Sequence, residues 1–375
     1  GYGPWTPRTE VDMSQKRSGL VASAVALAMG SATIAFASPE WQPYGLADLD
    51  ILALRSAGPH LYACAYDQNF ERGRGLFRRS VIDDDGTWEQ IGLDGVGLSS
   101  VWVDPEHPDH LYVSVLEPSD GAAFRSRDGG ASWEPTDHGL PEGRIWSMVG
   151  HRTNTLVLHV ATDAGVYRSR DEGGSWECVI RNQADVITRS LAVVPDVGAV
   201  VAANLSAGQI SQIRRLHGIR DESVWFHTAA NVNRIRVCPA TGTLYASAGG
   251  MLGSLLVSSD AGENWDELQI EPMEEFYGLA ISPWFGGVIM TAKLQGPSPV
   301  RLSVDGGMIW HDVSAGLGSA MPTIFAVEAD EIQEGVFYLA QGIHSGGVAR
   351  IHIGDADRFM AIPFQASRVI TAVSY

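Results

Sequence analysis

Lysine is almost missing: Lys16 and Lys293 are the only two in 375 residues. Basic side chains number 26 against 44 acidic ones, a formal charge of −18. Binding a nucleic-acid duplex needs a net positive face that displaces counterions, so nucleic acid is excluded as a partner. Cysteine is scarce as well. Cys64, Cys178 and Cys238 lie far apart and match no metal-ligand spacing, so at least one is unpaired and all three read as small apolar residues on strands. No Gly-rich phosphate loop precedes a helical stretch and no Gly-x-Ser-x-Gly elbow occurs, which removes nucleotide binding and α/β-hydrolase chemistry. No cofactor is expected. At 45% hydrophobic and 19% charged the chain is too apolar to be disordered. Its 42 glycines and 18 prolines are spread throughout, as short turns between many short strands require, so the chain reads as all-β.

Residues 1–12 precede Met13 and are read as an extension foreign to the fold. Residues 13–37 read as a signal peptide: Lys16-Arg17, then an uncharged run from Gly19, then Ala35-Phe36-Ala37 as a small-x-small ending. The run approaches the roughly 20 residues that span a bilayer. Its Ala, Ser and Gly content makes it weakly hydrophobic, so cleavage after Ala37 is expected, and membrane contact would arise only if the segment stayed attached. Residues 38–375 are then one domain, secreted or periplasmic and monomeric.

Self-similarity is the strongest signal. Ser126-Arg-Asp128-Gly-Gly130-Ala-Ser132-Trp133 recurs as Ser169-Arg-Asp171-Glu-Gly173-Gly-Ser175-Trp176, as Ser258-Ser-Asp260-Ala-Gly262-Glu-Asn264-Trp265 and as Ser303-Val-Asp305-Gly-Gly307-Met-Ile309-Trp310. A worn copy holds Asp83 and Trp88, and a more eroded one surrounds Asp221 and Trp225. The Asp carboxylate can accept turn amides, Gly can take a positive φ, and Trp opens the outgoing strand by burying a large ring. These residues therefore fasten a turn and are not catalytic.

The Ser-x-Asp-x-Gly-x-x-Trp pattern resembles the Asp-box, or BNR, repeat of sialidases, sortilin-type receptors, bacterial xyloglucanases and photosystem II assembly factors. That resemblance implies an all-β, seven-bladed β-propeller of four-stranded antiparallel blades, the seventh unit covering residues 322–365 around Phe359. Two strand-like segments are left over. Trp41–Leu46 mimics a fourth strand and Arg368–Val373 an inner strand, so strands from both chain ends would close the ring. The alternative is a last blade lacking its middle strands.

In such a ring the acidic turns lie on one rim, and a ligand site belongs on the other, where loops converge. Aligning the inner strands puts Arg144, Arg189, Arg234 and Tyr277 at one height, as ligand-binding candidates whose guanidinium forks match a carboxylate. Sialidases of the resembling family use three arginines beside a Tyr–Glu pair, but the Arg-Ile-Pro motif is absent here, and no Tyr–Glu pair or catalytic carboxylates can be assigned from spacing. Xyloglucanases join two rings, and only one fits in this chain. His107, His110, His138, His151 and His159 look scattered, and Asp83-Asp84-Asp85 reads as an acidic turn rather than a calcium site, so no metal is expected. The sequence points to an exported, non-catalytic module that binds a protein or glycan through this second rim; the alternative is a sialidase-like or other glycoside hydrolase.

Overall fold

The computed structural model describes residues 39–354 except 70, 84–85, 117–122, 184–185, 196–199, 207–210, 218–219, 229–230, 250–252, 319–321 and 343–345. The expected leader, Phe359 and Arg368–Val373 lie outside the described residues.

Seven four-stranded antiparallel sheets are present. Their innermost strands are Asp50–Ala57, Leu98–Val103, Ile145–Gly150, Val186–Val193, Asn231–Val237, Phe276–Ile281 and Thr323–Ala329. Each packs against the inner strands of two neighbouring sheets, and Thr323–Ala329 packs against Asp50–Ala57, which closes a ring. Second strands such as Leu111–Val115, Leu158–Thr162 and Ile289–Lys293 are buried along their whole length, as strands covered on both faces must be. The core accordingly lies between blades: Tyr62, Cys64 and Leu76 of the first meet Val101, Leu111 and Val113 of the second.

The expected construction needs correction. Six sheets, running from Asp50–Gln90 to Phe276–Asp312, are contiguous in sequence. The seventh is not a self-contained unit over 322–365. Its own sequence supplies Thr323–Ala329, Val336–Gly342 and Gly347–His352, and its outer strand is Gln42–Gly45 from the amino end, paired with Gly347–His352. The amino-terminal half of the expected closure is present, because the segment that mimics Trp133-Glu-Pro also takes its place, while Arg368–Val373 lies outside the described residues.

The eroded repeat is corrected as well. Ser211–His217 and Arg220–Thr228 pair as far as His217 opposite Arg220, which leaves no room for a box turn, and Trp225 stands mid-strand opposite Arg214. The four intact turns share one geometry. In the second blade Ser126 Oγ donates to Asp128 Oδ1 at 2.7 Å and accepts the Gly130 N–H at 2.8 Å, while Asp128 Oδ1 accepts the Ser132 N–H at 2.8 Å. Asp171 repeats this with Ser169, Gly173 and Ser175, Asp260 with Ser258, Gly262 and Asn264, and Asp305 with Ser303, Gly307 and Ile309. Gly130 needs its φ of +96°, a conformation that side chains disfavour. In the worn copy Ser80 Oγ donates to Asp83 at 2.8 Å instead.

The tryptophans do more than fill space. Trp133 Nε1 donates to the Ile91 carbonyl at 2.9 Å, Trp176 to Thr136 at 2.8 Å and Trp88 to Tyr44 at 2.8 Å, each in the preceding sheet. Trp41 completes the series by donating to Val313 at 2.8 Å, so the first described tryptophan serves the last sheet. Glycine is required beneath these rings. A Cβ on Gly92, whose φ is +125°, would lie 2.6 Å from the Trp133 indole. Trp265 is buried, and Trp310 Nε1 donates within its own turn to Gly307 at 2.9 Å.

Trp41→Ala is expected to lower unfolding free energy by about 3–5 kcal/mol in guanidinium titrations, since a buried indole is lost at the closure. A second outcome concerns acid. Hydrogen bonds from Ser132 and Ser126 hold the Asp128 carboxyl at about 2; at Asp171 and Asp260 burial pushes the carboxyl up, and the turn's several hydrogen bonds together outweigh it and leave both depressed. Depressed carboxylates stabilise above their unfolded pKa, so melting temperature should fall as pH drops from about 4 towards 2. Asp128→Asn should flatten that slope.

Candidate functional site

Every inner strand slips register once against its partner, at the third or fourth of its residues or nearer its start. The extra residues are Leu52, Ser99, Trp146, Arg189, Asn233, Tyr277 and Phe325. A bulge re-aims a side chain and twists its strand. Here it recurs around the axis, close to the rim reached by the loops that lead into each inner strand. The acidic turns lie at the opposite rim, because they join third to fourth strands in the same antiparallel blades.

The bulged residues divide by chemistry. Ser99 Oγ donates to the Ile145 carbonyl at 2.5 Å and Asn233 Nδ2 to the Phe276 carbonyl at 3.1 Å, each reaching the residue before the next blade's bulge. Arg189 instead meets both Trp146 and Tyr277. The Arg189 guanidinium carbon lies 5.1 Å from the Trp146 ring centroid, within cation–π range. Tyr277 faces both Glu275 and Arg189: burial and then the Glu275 carboxylate push its hydroxyl pKa up, and Arg189 pulls it back.

Of the four ligand-binding residues expected from sequence, Arg189 and Tyr277 are thus brought together at equivalent bulges. Arg234 follows its bulge by one residue and stands in the same field, its pKa lowered to about 10 by burial, then by Arg236 and Arg189. Arg144 departs from the alignment. It is exposed, precedes the strand Ile145–Gly150, and lies 5.7 Å from the Trp146 ring; Trp146 occupies the position assigned to it. Trp146 was missed because an inserted residue shifts any alignment anchored at the far end of the strand, whereas Asn233 and Glu275 were among the residues expected on this rim.

Two polar atoms at this height have no partner: Arg189 Nε and Asn233 Oδ1, both buried. Deeper in the ring the charges are better compensated. Glu328 is buried, accepts the Ser56 N–H at 3.3 Å and Arg55 Nη1 at 3.4 Å, and also attracts Arg236. Burial pushes its carboxyl above the ordinary value, and the arginines offset that only in part. Two guanidinium groups near the mouth, Arg189 and Arg234, make no ion pair with a carboxylate among the described residues, although Glu328 attracts Arg234 from deeper in the ring. Such a pair can grip a carboxylate or another anionic group bidentately.

A second concavity of about 620 Å3 lies along the composite closure, where Gln42, Asp48, Asn69 and Gln341 supply polar groups. No sequence signal marked it. The residues expected to fasten turns, Asp83, Asp128, Asp171, Asp260 and Asp305, with Trp133, Trp176, Trp265 and Trp310, form no common site. They fall in five different blades. The histidines behave differently. His151 and His159 pack with ring centroids 5.3 Å apart, and His107 and His110 stack at 5.0 Å, so the expectation of scattered, unpaired imidazoles is corrected.

No family model matches the chain, and no curated protein does. Solved structures do. The chain shares the β-propeller fold. YCF48 bound to a D1 peptide superposes with a TM-score of 0.59 at 18% identity, over 86% of this chain and 97% of that one. YCF48 from Cyanidioschyzon merolae gives 0.57 at 14%, over 84% and 98%. The GH74 enzyme of Niastella koreensis gives 0.60 at 14% over 82% of this chain and 53% of its own, so the chain spans about half that enzyme's length.

Glu328→Ala is expected to cost about 3–5 kcal/mol of stability, because Arg55 and Arg236 would lose the carboxylate buried between them. Thermal and urea unfolding of the variant measure it.

Proposed function

We propose that this β-propeller is a non-catalytic binding module of the Asp-box type that recognises an anionic group of a protein or glycan partner at the mouth lined by Arg189 and Arg234. The observation that carries the reading is the pair of guanidiniums without a paired carboxylate, set beside Trp146, Tyr277 and the idle Asn233 Oδ1. Burying unpaired cations destabilises a fold unless something offsets the cost. An incoming carboxylate would supply that offset, and Trp146 offers an apolar face to the chain that carries it. YCF48 in its D1-peptide complex has the same fold, which supports a peptide as the class of partner to test first. The proposal extends to the cell: a cleaved leader over 13–37 would make the protein secreted or periplasmic, acting as a monomer.

A glycoside hydrolase reading is kept for one observation, the Tyr277 hydroxyl standing between Glu275 and Arg189. A nucleophilic tyrosine with a carboxylate base needs such contacts. Its pKa is raised rather than lowered, and no second carboxyl is placed as an acid, so binding is preferred.

Fluorescence polarisation with acidic peptides bearing a free carboxyl terminus, and the same peptides amidated, tests the reading. Arg189→Ala and Arg234→Ala should each weaken binding about 10–100-fold, as loss of a charge-assisted pair does, while Asp171→Ala leaves affinity unchanged. Equal binding by all variants would overturn the site. Turnover of a fluorogenic sialoside that Tyr277→Phe abolishes would establish the enzyme instead.

A further inference from the structure

The turn Asp104-Pro-Glu-His107-Pro-Asp-His110 joins the first two strands of the second blade, on the rim away from the arginine mouth. Its three-residue spacing brings one carboxylate and two imidazoles together. Asp104 is buried, and its Oδ1 accepts the N–H groups of Glu106 at 2.8 Å and His107 at 3.1 Å. Oδ2 faces His107 Nδ1 at 3.3 Å. The His107 and His110 rings stack within 22° of parallel, and His110 Nδ1 is buried with no hydrogen-bond partner. One donor atom from each of the three residues lies within 4.8 Å of the others.

An internal comparison shows that the turn itself does not call for imidazoles. In the closing sheet Asp330 builds the same turn: Oδ1 accepts the Ile332 and Gln333 N–H groups at 2.7 Å each, and the Asp330 N–H donates to Val336 at 2.9 Å, as Asp104 does to His110 at 3.0 Å. There the Tyr338 hydroxyl donates to Oδ2 at 2.5 Å. Tyr112 stands at the same offset from Asp104, eight residues on, yet its hydroxyl is buried without a partner. In the second blade Oδ2 makes no hydrogen bond to the tyrosine at that offset and faces a histidine instead.

We propose that Asp104, His107 and His110 form a site for a divalent first-row transition cation of the Zn2+ class. Neutral imidazole with carboxylate is a donor set that suits these ions and not calcium or magnesium, which prefer all-oxygen shells. Two donors each about 2.1 Å from one Zn2+ stand about 3.4 Å apart at the tetrahedral angle. The 3.3 Å between Oδ2 and His107 Nδ1 already meets that spacing, and rotation of the exposed His107 ring and of His110 brings in the third donor. The backbone amides on Oδ1 hold the carboxylate in place as an outer shell. Three protein ligands leave a fourth position to water, so the cation pins the rim of the second blade independently of the arginine mouth.

Calorimetric titration of ZnCl2 into the full, untagged, chelator-stripped chain tests this, with Co2+ visible absorption as the second readout. Wild type should show a site of micromolar affinity and a tetrahedral Co2+ band. His107→Ala and His110→Ala should each weaken Zn2+ binding by roughly 30-fold or more and abolish the band, whereas His311→Ala, exposed on the sixth blade, should titrate as wild type. His107 is exposed, so its variant keeps the fold, which circular dichroism checks. No Zn2+ binding below about 1 mM, or identical titrations for wild type and the His107 and His110 variants, would overturn the site.

Discussion

One contact repeats wherever two blades meet well: an indole N–H at the start of an outer strand, donated to a carbonyl of the sheet before it. The ring depends on it because a lone four-stranded sheet of this size cannot bury its two apolar faces, and neighbouring sheets must be held at a fixed spacing for the cores between them to close. Trp41, Trp88, Trp133 and Trp176 make that bond to Val313, Tyr44, Ile91 and Thr136. Each ring needs a close backbone beneath it, which is why glycines such as Gly45 and Gly92 sit at positive φ below Trp88 and Trp133. The acidic turns then act at one remove, by delivering the tryptophan at the right point of the chain.

This arrangement divides the molecule into two rims with different physics. At the rim of the acidic turns, the carboxylates of those turns satisfy amides and hydroxyls within four residues and have little left to offer a ligand; Asp104, with one oxygen facing His107, is the exception. At the opposite rim a bulge in every inner strand interrupts pairing, and the groups it frees belong to different blades. Trp146, Arg189 and Tyr277 come from three of them. Arg189 and Arg234 make no ion pair there among the described residues, despite the overall excess of 44 acidic over 26 basic side chains. An uneven distribution of that kind is a property of sites more than of scaffolds.

Much of the fold was readable from the chain because the box turn is local: Ser126, Asp128, Gly130 and Trp133 interact across at most four residues, and spacing alone reveals them. Closure was only half readable. Trp41–Leu46 resembles an outer strand and was expected to help close the ring, but the pattern does not say which strand it pairs with. The Trp225 copy misled because a tryptophan near an aspartate was counted without the glycine between them, and there the hairpin is tight. The mouth was legible in type and blurred in place. Arginines and a tyrosine at one height were expected, yet the bulge put Trp146 where Arg144 was expected and drew Glu275 to Tyr277. The histidine pair went unseen for a simpler reason: Asp104, His107 and His110 signal by three-residue spacing behind an Asp-Pro turn, a pattern that a search for adjacent imidazoles passes over.

The central claim is that partner recognition belongs to the bulged rim and that the acidic turns serve stability. Hydrogen–deuterium exchange of the full chain, with and without a saturating acidic peptide, tests it most directly. The account predicts new protection in 144–148, 186–190, 231–236 and 275–278, and none in 126–133, 169–176 or 303–310. Protection confined to the acidic turns, with the arginine strands unchanged, would contradict it.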